Sequence, residues 1–321
     1  MDPLARFTAI YDALNAERGW WSHASCLRFA AAATMTSPGP PEGVARAIRG
    51  AAEALRKGSR WYGELKTSLR FVVSAPLVNA GDDPARFLAE VERLRAIFRE
   101  RGLRRGGAYE VIAALLLRQQ AGLEAVPEPS IGRFQLLYEE MKRHHWWLTG
   151  PEEFPFCALL AGRAGAPREL GEAVEAVFQA LGAEGFAAGD PLQTAACILA
   201  LSGIGARVAA RRFHGLAEAF RQAGVAIWKS DYDELAVLSF LDPPASEVAD
   251  RVLRCRDAMA ALRPKPDRST TFNLAASVAF LELAGTTPAT RELIDAKALK
   301  DIQSVIDAQR AAAASAAGAA S

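Results

Sequence analysis

The stretch GFAAGDPLQTAACILALSG, residues 185–203, decides the fold of this chain. It opens with an apolar step, passes through a short Gly/Pro turn, and continues as an apolar run rich in alanine and leucine. Asp190 and Pro191 are residue types favoured at the N-cap and at the first helical position, and Gln193 follows at the third helical position. The stretch therefore predicts a helix that begins near residue 190 and is apolar on nearly every side.

Six further segments show the same order of step, turn and apolar helix. They are WWSHASCLRFAAAATM (20–35), WYGELKTSLRFVVSAPLV (61–78), GLRRGGAYEVIAALLLR (102–118), HHWWLTGPEEFPFCALLAG (144–162), GVAIWKSDYDELAVLSFLD (224–242) and PKPDRSTTFNLAASVAFLE (264–282). Their centres lie about 40 residues apart, which is the spacing of repeats built from pairs of helices. The sequence therefore predicts seven apolar helices at regular intervals.

Helices of a second type are predicted between these segments, each apolar along one side only. Their apolar residues recur at helical spacing, which is typical of a helix with one buried face. Four examples are Phe87, Val91, Leu94 and Phe98; Leu170, Val174, Val177 and Leu181; Ala209, Phe213, Leu216 and Phe220; and Val248, Val252, Cys255, Met259 and Leu262. Strand signals are almost absent, since the β-branched run LRFVV (69–73) lies in helical register with its neighbours.

These patterns predict an all-α protein built as a helical-hairpin repeat array, similar to an α-solenoid, with about seven helix pairs of about 40 residues each. The alternative is a closed α/α toroid. Residues 1–310 are predicted to form a single helical-repeat domain, in which a last helix from about Thr287 to Arg310 caps the array. The Ala/Ser-rich residues 311–321 are predicted to be a disordered tail.

The composition narrows the class of protein further. The chain has 321 residues, of which 50% are hydrophobic, and a formal net charge of +1. This near-neutral charge gives no electrostatic reason to expect nucleic acid or an anionic membrane as a partner. The apolar runs are too short to cross a bilayer, and the four cysteines form no CxxC motif. A cytoplasmic location is therefore expected.

Acidic residues gather at the predicted helix starts, where capping and catalysis both use carboxylates. Thr149 with Glu152 fits a capping box, and Ser230 with Asp233 has the same spacing. The same chemistry recurs at the same place in successive segments, which a folding signal predicts and a single active site does not. Capping is therefore the favoured interpretation of these acids.

The segment HHWWLTGPEEF, residues 144–154, contains two of the four histidines. A metal site made of His145, Glu152, Glu153 and Asp190 is conceivable, because the loops of adjacent hairpins would stack side by side. The sequence contains no HExxH motif and no paired Cys/His motif. We therefore predict no metal site and no cofactor.

Two segments are similar to a known family. MKRHHWWLTGPEEFPFCALLA (141–161) resembles a segment typical of domain-of-unknown-function family 4003, a bacterial family, and 185–203 resembles the repeat that follows it. The likeness runs from about Arg18 to Leu283. Pro191 and Trp147 are departures, since Trp147 stands where the family more often has Phe. The resemblance implies an all-helical repeat protein and carries over no catalytic residue.

The favoured functional hypothesis is a scaffold that binds an unidentified protein or peptide, because stacked helix pairs form a continuous surface and no complete catalytic motif is present. Matching helix-start positions hold Glu110, Glu153, Gln193, Glu234 and Asn273, which are predicted to form a polar ridge along one edge. The candidate binding surface consists of His145, Trp146, Trp147, Glu153, Gln193, Trp228, Glu234 and Asn273.

Two other functions stay open. In a closed toroid, Glu153, Asp190, Asp233 and Glu234 would converge on one pocket and serve a hydrolase or a cyclase. Chain ends that touch would favour this toroid, and separated ends would favour the scaffold. A single-stranded nucleic-acid binder that uses the basic run 93–105 is a distant third, because the net charge is near zero.

Overall fold

The computed structural model describes residues 2–19, 22–59, 63–144 and 150–284, and it contains fourteen α-helices and no β-strand within these ranges. The helices are α1 (Pro3–Ala16), α2 (Ala24–Ala33), α3 (Pro41–Gly58), α4 (Leu69–Ala80), α5 (Pro84–Glu100), α6 (Ala108–Gln120), α7 (Glu128–His144), α8 (Phe154–Ala161), α9 (Pro167–Ala183), α10 (Asp190–Ala200), α11 (Ala206–Gln222), α12 (Tyr232–Leu238), α13 (Ala245–Ala260) and α14 (Arg268–Ala284). The predicted all-α class is confirmed.

The even-numbered helices are the apolar helices that the sequence predicts, and all seven are present. In α10 every residue from Leu192 to Leu199 is buried, and in α6 every residue from Ala108 to Arg118 is buried. These helices are therefore covered by neighbours on all sides. The β-branched run 69–73 begins α4, as its helical register predicts.

The odd-numbered helices bury one face and leave the other in water. In α11, Phe213, Leu216 and Phe220 are buried, while Arg211 and Arg212 are exposed. Each large side chain buried in this way stabilises the fold by about 1.5 to 3 kcal/mol. The odd helices thus form a half-exposed layer behind the even ones.

The turn that follows α5 shows how the chain passes from one helix type to the other. Gly102 adopts φ 73°, a left-handed conformation that glycine reaches without steric cost. This turn lets the amide of Leu103 donate a 2.9 Å hydrogen bond to the carbonyl oxygen of Phe98, and Val225 bonds Phe220 in the same way after α11 at 2.9 Å. The predicted apolar steps are therefore helix C-caps.

Each odd helix packs against the even helix that follows it, which gives seven consecutive hairpins. Neighbouring hairpins also pack against each other through the odd layer, the even layer or both. The odd-helix contacts include α1 with α3, α3 with α5, α7 with α9, α9 with α11 and α11 with α13, and the even-helix contacts include α2 with α4, α6 with α8, α10 with α12 and α12 with α14. In addition, α14 packs against α1 and α2, so the last described hairpin touches the first.

Several predictions lie outside the described residues: the last helix from Thr287 to Arg310, the tail 311–321, and the side chains of His145, Trp146, Trp147 and Thr149. Among the helices that are described, none combines the length and the apolar character needed to cross a membrane.

Candidate functional site

Five buried polar side chains lie where the even helices begin. Glu110 is in the first turn of α6, Glu153 directly precedes α8, and Gln193, Glu234 and Asn273 belong to α10, α12 and α14. All five are largely inaccessible to solvent, and a buried polar group that lacks a hydrogen bond costs about 1 to 3 kcal/mol. We therefore compare the hydrogen-bond partners that the rest of the fold offers to each of these side chains.

Other residues of the fold supply hydrogen-bond donors for both carboxylate oxygens of Glu110. One of its carboxylate oxygens accepts a 3.0 Å hydrogen bond from the amide of Gly106 and a further bond from Arg99. The other oxygen accepts a 3.1 Å bond from Nε of Arg95, which also bonds Glu64 at 2.9 Å. Glu110 is therefore a structural anion. Two arginines of the basic run 93–105 are held in these ion pairs rather than offered to phosphate.

The remaining four residues, Glu153, Gln193, Glu234 and Asn273, form the polar row. Within it, Nδ2 of Asn273 donates a hydrogen bond to a carboxylate oxygen of Glu234. This bond joins the first turn of α12 to α14, its neighbour in the even layer. Asp233, which precedes Glu234, is also buried. The starts of α12 and α14 thus bring the Glu234 carboxylate and the Asn273 amide together.

Gln193 stands apart from every other member of the polar row. Its side chain is 0% exposed, and neither its amide nitrogen nor its amide oxygen has a hydrogen-bond partner within the described part of the chain. A glutamine amide offers two N–H donors and one carbonyl acceptor, so its burial in this state is costly. Such a group in a native fold calls for an explanation.

The electrostatic effects of Glu153 indicate which face of α10 carries Gln193. Burial raises the pKa of the Cys157 and Cys197 thiols well above the usual range, and the charge of Glu153 raises both further. Glu153 is therefore within electrostatic range of Cys197 of α10. Gln193 lies one helical turn before Cys197 on the same face of α10. We infer that Gln193 lies on the face of α10 that borders Glu153.

An exposed aromatic side chain lies at the same end of the helices. Trp228 is 58% exposed, and Cζ of Arg268 lies 4.3 Å from the centroid of its ring. Asp231 fixes both residues, because its carboxylate accepts a 2.9 Å hydrogen bond from the amide of Trp228 and a 2.8 Å bond from Arg268. Arg268 also donates to the carbonyl oxygen of Ala226 at 2.8 Å.

The helix starts differ from the predicted caps by one residue. Gly189, with φ 137°, is the N-cap of α10, so Asp190 is the first helical residue, and its side chain is exposed. The prediction that Asp190 caps α10 is therefore wrong. Before α12, the side chain-to-backbone bond lies two residues earlier than the predicted pair Ser230 and Asp233, because Asp231 accepts it from the amide of Trp228.

The predicted polar ridge also needs correction. Glu153, Gln193, Glu234 and Asn273 are buried, so they do not offer an accessible edge to a large partner. Of the described members of the candidate binding surface, only Trp228 is exposed. Whether the polar row binds a ligand stays a prediction.

The structure does not bring together all the residues of the predicted catalytic and metal sites. Asp190 is exposed at the surface, away from the burial that Glu153, Asp233 and Glu234 share. Within the ranges that the structure covers, no group of three or more His, Cys, Asp or Glu side chains is arranged to hold a metal ion. His145, the remaining predicted ligand, lies outside those ranges.

Two residues of this end of the protein were missed by the sequence reasoning: Asp267 and Arg268. Asp267 caps α14, because its carboxylate accepts a 2.8 Å bond from the amide of Thr270 and a 2.7 Å bond from the Thr270 hydroxyl. The Asp-x-x-Thr spacing was the available signal for Asp267. Arg268 carries no local signal, because its partner Asp231 lies on the preceding hairpin.

One comparison with known proteins identifies a family for this chain. No curated protein and no solved structure matches the chain. The family model described as "Protein of unknown function (DUF4003)" matches residues 10–311, which is most of the sequence and includes all of the polar row. The chain therefore belongs to the DUF4003 family, as the resemblance of its helix-start segments predicted.

Proposed function

We propose that the seven hairpins close into an α/α ring, and that this ring binds a small polar ligand among the side chains of the polar row. The contacts of α14 with α1 and α2 support the closed arrangement, because an open arc keeps its first and last hairpins apart. The guanidinium of Arg28 in α2 also donates to the carbonyl oxygen of Pro264, just before α14. The first and last described hairpins therefore meet through both packing and a hydrogen bond.

The observation that carries the ligand proposal is the state of the Gln193 amide. A leucine at this position would fill the same space without an unsatisfied polar group and would leave the protein more stable. Natural proteins retain such destabilising residues where function requires them. A ligand that bonds the amide supplies the missing partners.

The chemistry of the polar row limits the class of ligand. The carboxyl oxygens of Glu153 and Glu234 accept hydrogen bonds, and each amide of Gln193 and Asn273 offers one carbonyl acceptor. A ligand for this set is therefore rich in hydrogen-bond donors, such as hydroxyl groups.

An enzyme that acts on this ligand is the second candidate. Glu153 and Glu234 are buried, and the amide of Asn273 holds Glu234 in one orientation. A pair of buried carboxylates, one protonated and one ionised, is the arrangement that hydrolases and cyclases use for acid–base steps. An open interaction scaffold has less support, since the large apolar side chains that are exposed among the described residues, Leu136, Val208 and Trp228, lie on three different segments.

The test compares wild type with Gln193→Leu and with Thr194→Val, a matched control at the adjacent buried position of α10. Thermal unfolding is measured alone and against a panel of polyols, sugars, amines and carboxylic acids. We expect Gln193→Leu to unfold at a higher temperature than wild type. We also expect at least one donor-rich compound to stabilise wild type and Thr194→Val but not Gln193→Leu. A less stable Gln193→Leu, with every compound effect unchanged, would overturn the proposal.

A further inference from the structure

The interface that closes the array differs from the boundaries between consecutive hairpins. In this closure seam, α14 and the loop 261–267 before it meet α1 and α2. Arg95 of α5 forms an ion pair at 2.9 Å with Glu64 of the preceding hairpin, and Arg268 of α14 pairs at 2.8 Å with a carboxylate of the hairpin before it. No ion pair between described residues crosses the closure seam. The seam therefore depends on apolar packing and on hydrogen bonds to neutral groups.

Arg28 of α2 brings a buried positive charge into the closure seam. It is 2% exposed, its guanidinium donates a hydrogen bond to the carbonyl oxygen of Pro264, and its Cζ lies 5.3 Å from the centroid of the Tyr11 ring. Its Nε is buried without a hydrogen-bond partner, and no carboxylate among the described residues pairs with it. Arg118, which is buried to a similar degree, has the Asp82 carboxylate at 2.8 Å. The charge of Arg28 is therefore held by neutral groups alone within the described part of the chain.

This arrangement makes closure of the seam costly. Closure removes the Arg28 guanidinium from water, and an ion that gains no counter-ion is not compensated for its lost hydration. One hydrogen bond to a neutral acceptor and one cation–π contact return only part of that cost. Separation of α14 from α2 returns the guanidinium to water, and it breaks none of the ion pairs between consecutive hairpins. The closure seam is therefore the boundary that opens at the lowest free energy.

We propose that the closure seam opens while the hairpins themselves stay folded, and that the buried charge of Arg28 favours this opening. The proposal rests on the closed ring of the proposed function and supplies a route to its site. All four members of the polar row are at most 6% exposed, so a ligand reaches them only when part of the fold moves. Separation of α14 from α2 uncovers one side of the helix that carries Asn273, which bonds Glu234. The seam thus acts as a gate to the polar row.

Hydrogen exchange of the full chain, followed by mass spectrometry, tests this opening. The amides of α14 report on the seam, and those of α6, in the third hairpin, are the internal reference. Arg28→Met and Arg28→Gln remove the charge, and Arg28→Lys, which keeps it, is the matched control. We expect α14 to exchange faster than α6 in wild type. In both neutral variants the exchange of α14 should slow about tenfold, with α6 unchanged, and it should not slow in Arg28→Lys.

The direction of the change separates this role of Arg28 from a stabilising one. Faster exchange of α14 in the neutral variants would mean that Arg28 holds the seam closed, which overturns the proposal. Equal slowing in Arg28→Lys would overturn the role of the charge. Equal exchange of α14 and α6 in wild type would overturn the opening itself.

A failure of the closed ring is recognised separately, from the distance between spin labels on Asp12→Cys of α1 and Ser269→Cys of α14. Both positions are exposed and the four native cysteines are buried, so labelling is selective. Labels that lie close together, with exchange of α14 unaffected by loss of the charge, leave the ring standing and overturn only the opening. Labels that lie far apart in every molecule overturn the closed ring, and the seam with it.

Discussion

The hydroxyl of Tyr11 in α1 donates a 2.9 Å hydrogen bond to the backbone carbonyl oxygen of Arg263, which lies 252 residues later in the chain, between α13 and α14. The guanidinium of Arg28 lies 5.3 Å from the centroid of the Tyr11 ring and donates to the next carbonyl, that of Pro264. Two hairpins at opposite ends of the described chain are therefore joined by a small group of buried side chains.

Replacement of Tyr11 by phenylalanine tests the energy of this junction. The ring keeps its packing, but the bond to the Arg263 carbonyl is lost, so we expect the free energy of unfolding to fall by about 1 kcal/mol. Urea denaturation measures it. Tyr138→Phe, at a buried tyrosine of α7 away from the junction, is the control and should change stability less. A Tyr11→Phe protein as stable as wild type would show that the junction contributes nothing.

The proposed closure of the hairpins into a ring also predicts the dimensions of the protein in solution. A compact domain of 321 residues has a radius of gyration of about 20 Å. We expect small-angle X-ray scattering to give a value close to this for wild type. A clearly larger radius, with an elongated distance distribution, would indicate an open arc.

Among the ion pairs of the described residues, we expect the pair between Arg118 and Asp82 to be the one whose disruption lowers the free energy of unfolding most. Both contacts are 2.8 Å long and both side chains are nearly inaccessible to solvent. Arg118→Leu leaves a buried, unpaired carboxylate, and we expect a loss of about 3 to 5 kcal/mol in chemical denaturation. The double variant with Asp82→Leu should recover much of this loss. Arg168→Leu, which breaks the exposed pair with Glu172, is the control and should have little effect.

Glu90 makes stability depend on pH. Burial raises the pKa of Glu90, but bonds from Arg93 and from the amide of Val126, at 2.8 Å, outweigh it and lower the pKa below its usual value. The ionised form therefore stabilises the fold. This contribution is present above the unfolded-state pKa of about 4.3 and is lost as the pH falls through the folded-state pKa.

We expect Glu90→Gln to flatten the fall in stability below about pH 4.3, when urea midpoints are compared across a pH series. Glu100→Gln, at an exposed position of the same helix, should keep the wild-type profile. An unchanged acid limb in Glu90→Gln would show that other carboxylates dominate it.

The caps give a further test, in which two aspartates at equivalent helix starts behave differently. Asp267→Ala removes two hydrogen bonds from the start of α14, and we expect a loss of about 0.5 to 2 kcal/mol in thermal or chemical unfolding. Asp190→Ala changes an exposed side chain that caps no backbone amide, so its effect should be smaller. Equal losses in both variants would contradict this assignment of the caps.

The sequence correctly predicted the helices, because their apolar residues follow local, periodic patterns. The buried helices follow from continuous apolar runs such as that of α10, and the odd helices follow from one-sided stripes such as Phe213, Leu216 and Phe220. Helix ends were less accurate, because Gly189 and Asp190 both suit an N-cap and only the backbone conformation decides between them.

The contacts between distant segments were not predictable from the sequence alone. The register of the repeats placed Gln193 and Glu234 correctly at helix starts, but their residue types favour exposure, and burial depends on helices far away in the chain. The bond from Tyr11 to Arg263 and the pairing of Asp231 with Arg268 follow no local pattern for the same reason.

The contact of α14 with α1 and α2 has a consequence for how this family can evolve. An open stack tolerates the gain or loss of a whole hairpin, because each unit needs only its neighbours. Here a duplicated or deleted hairpin would change the angle through which the array turns and would separate the helices that now meet. Relatives are therefore expected to differ in loop length and to keep the number of hairpins constant, which a count of apolar helices in their sequences can check.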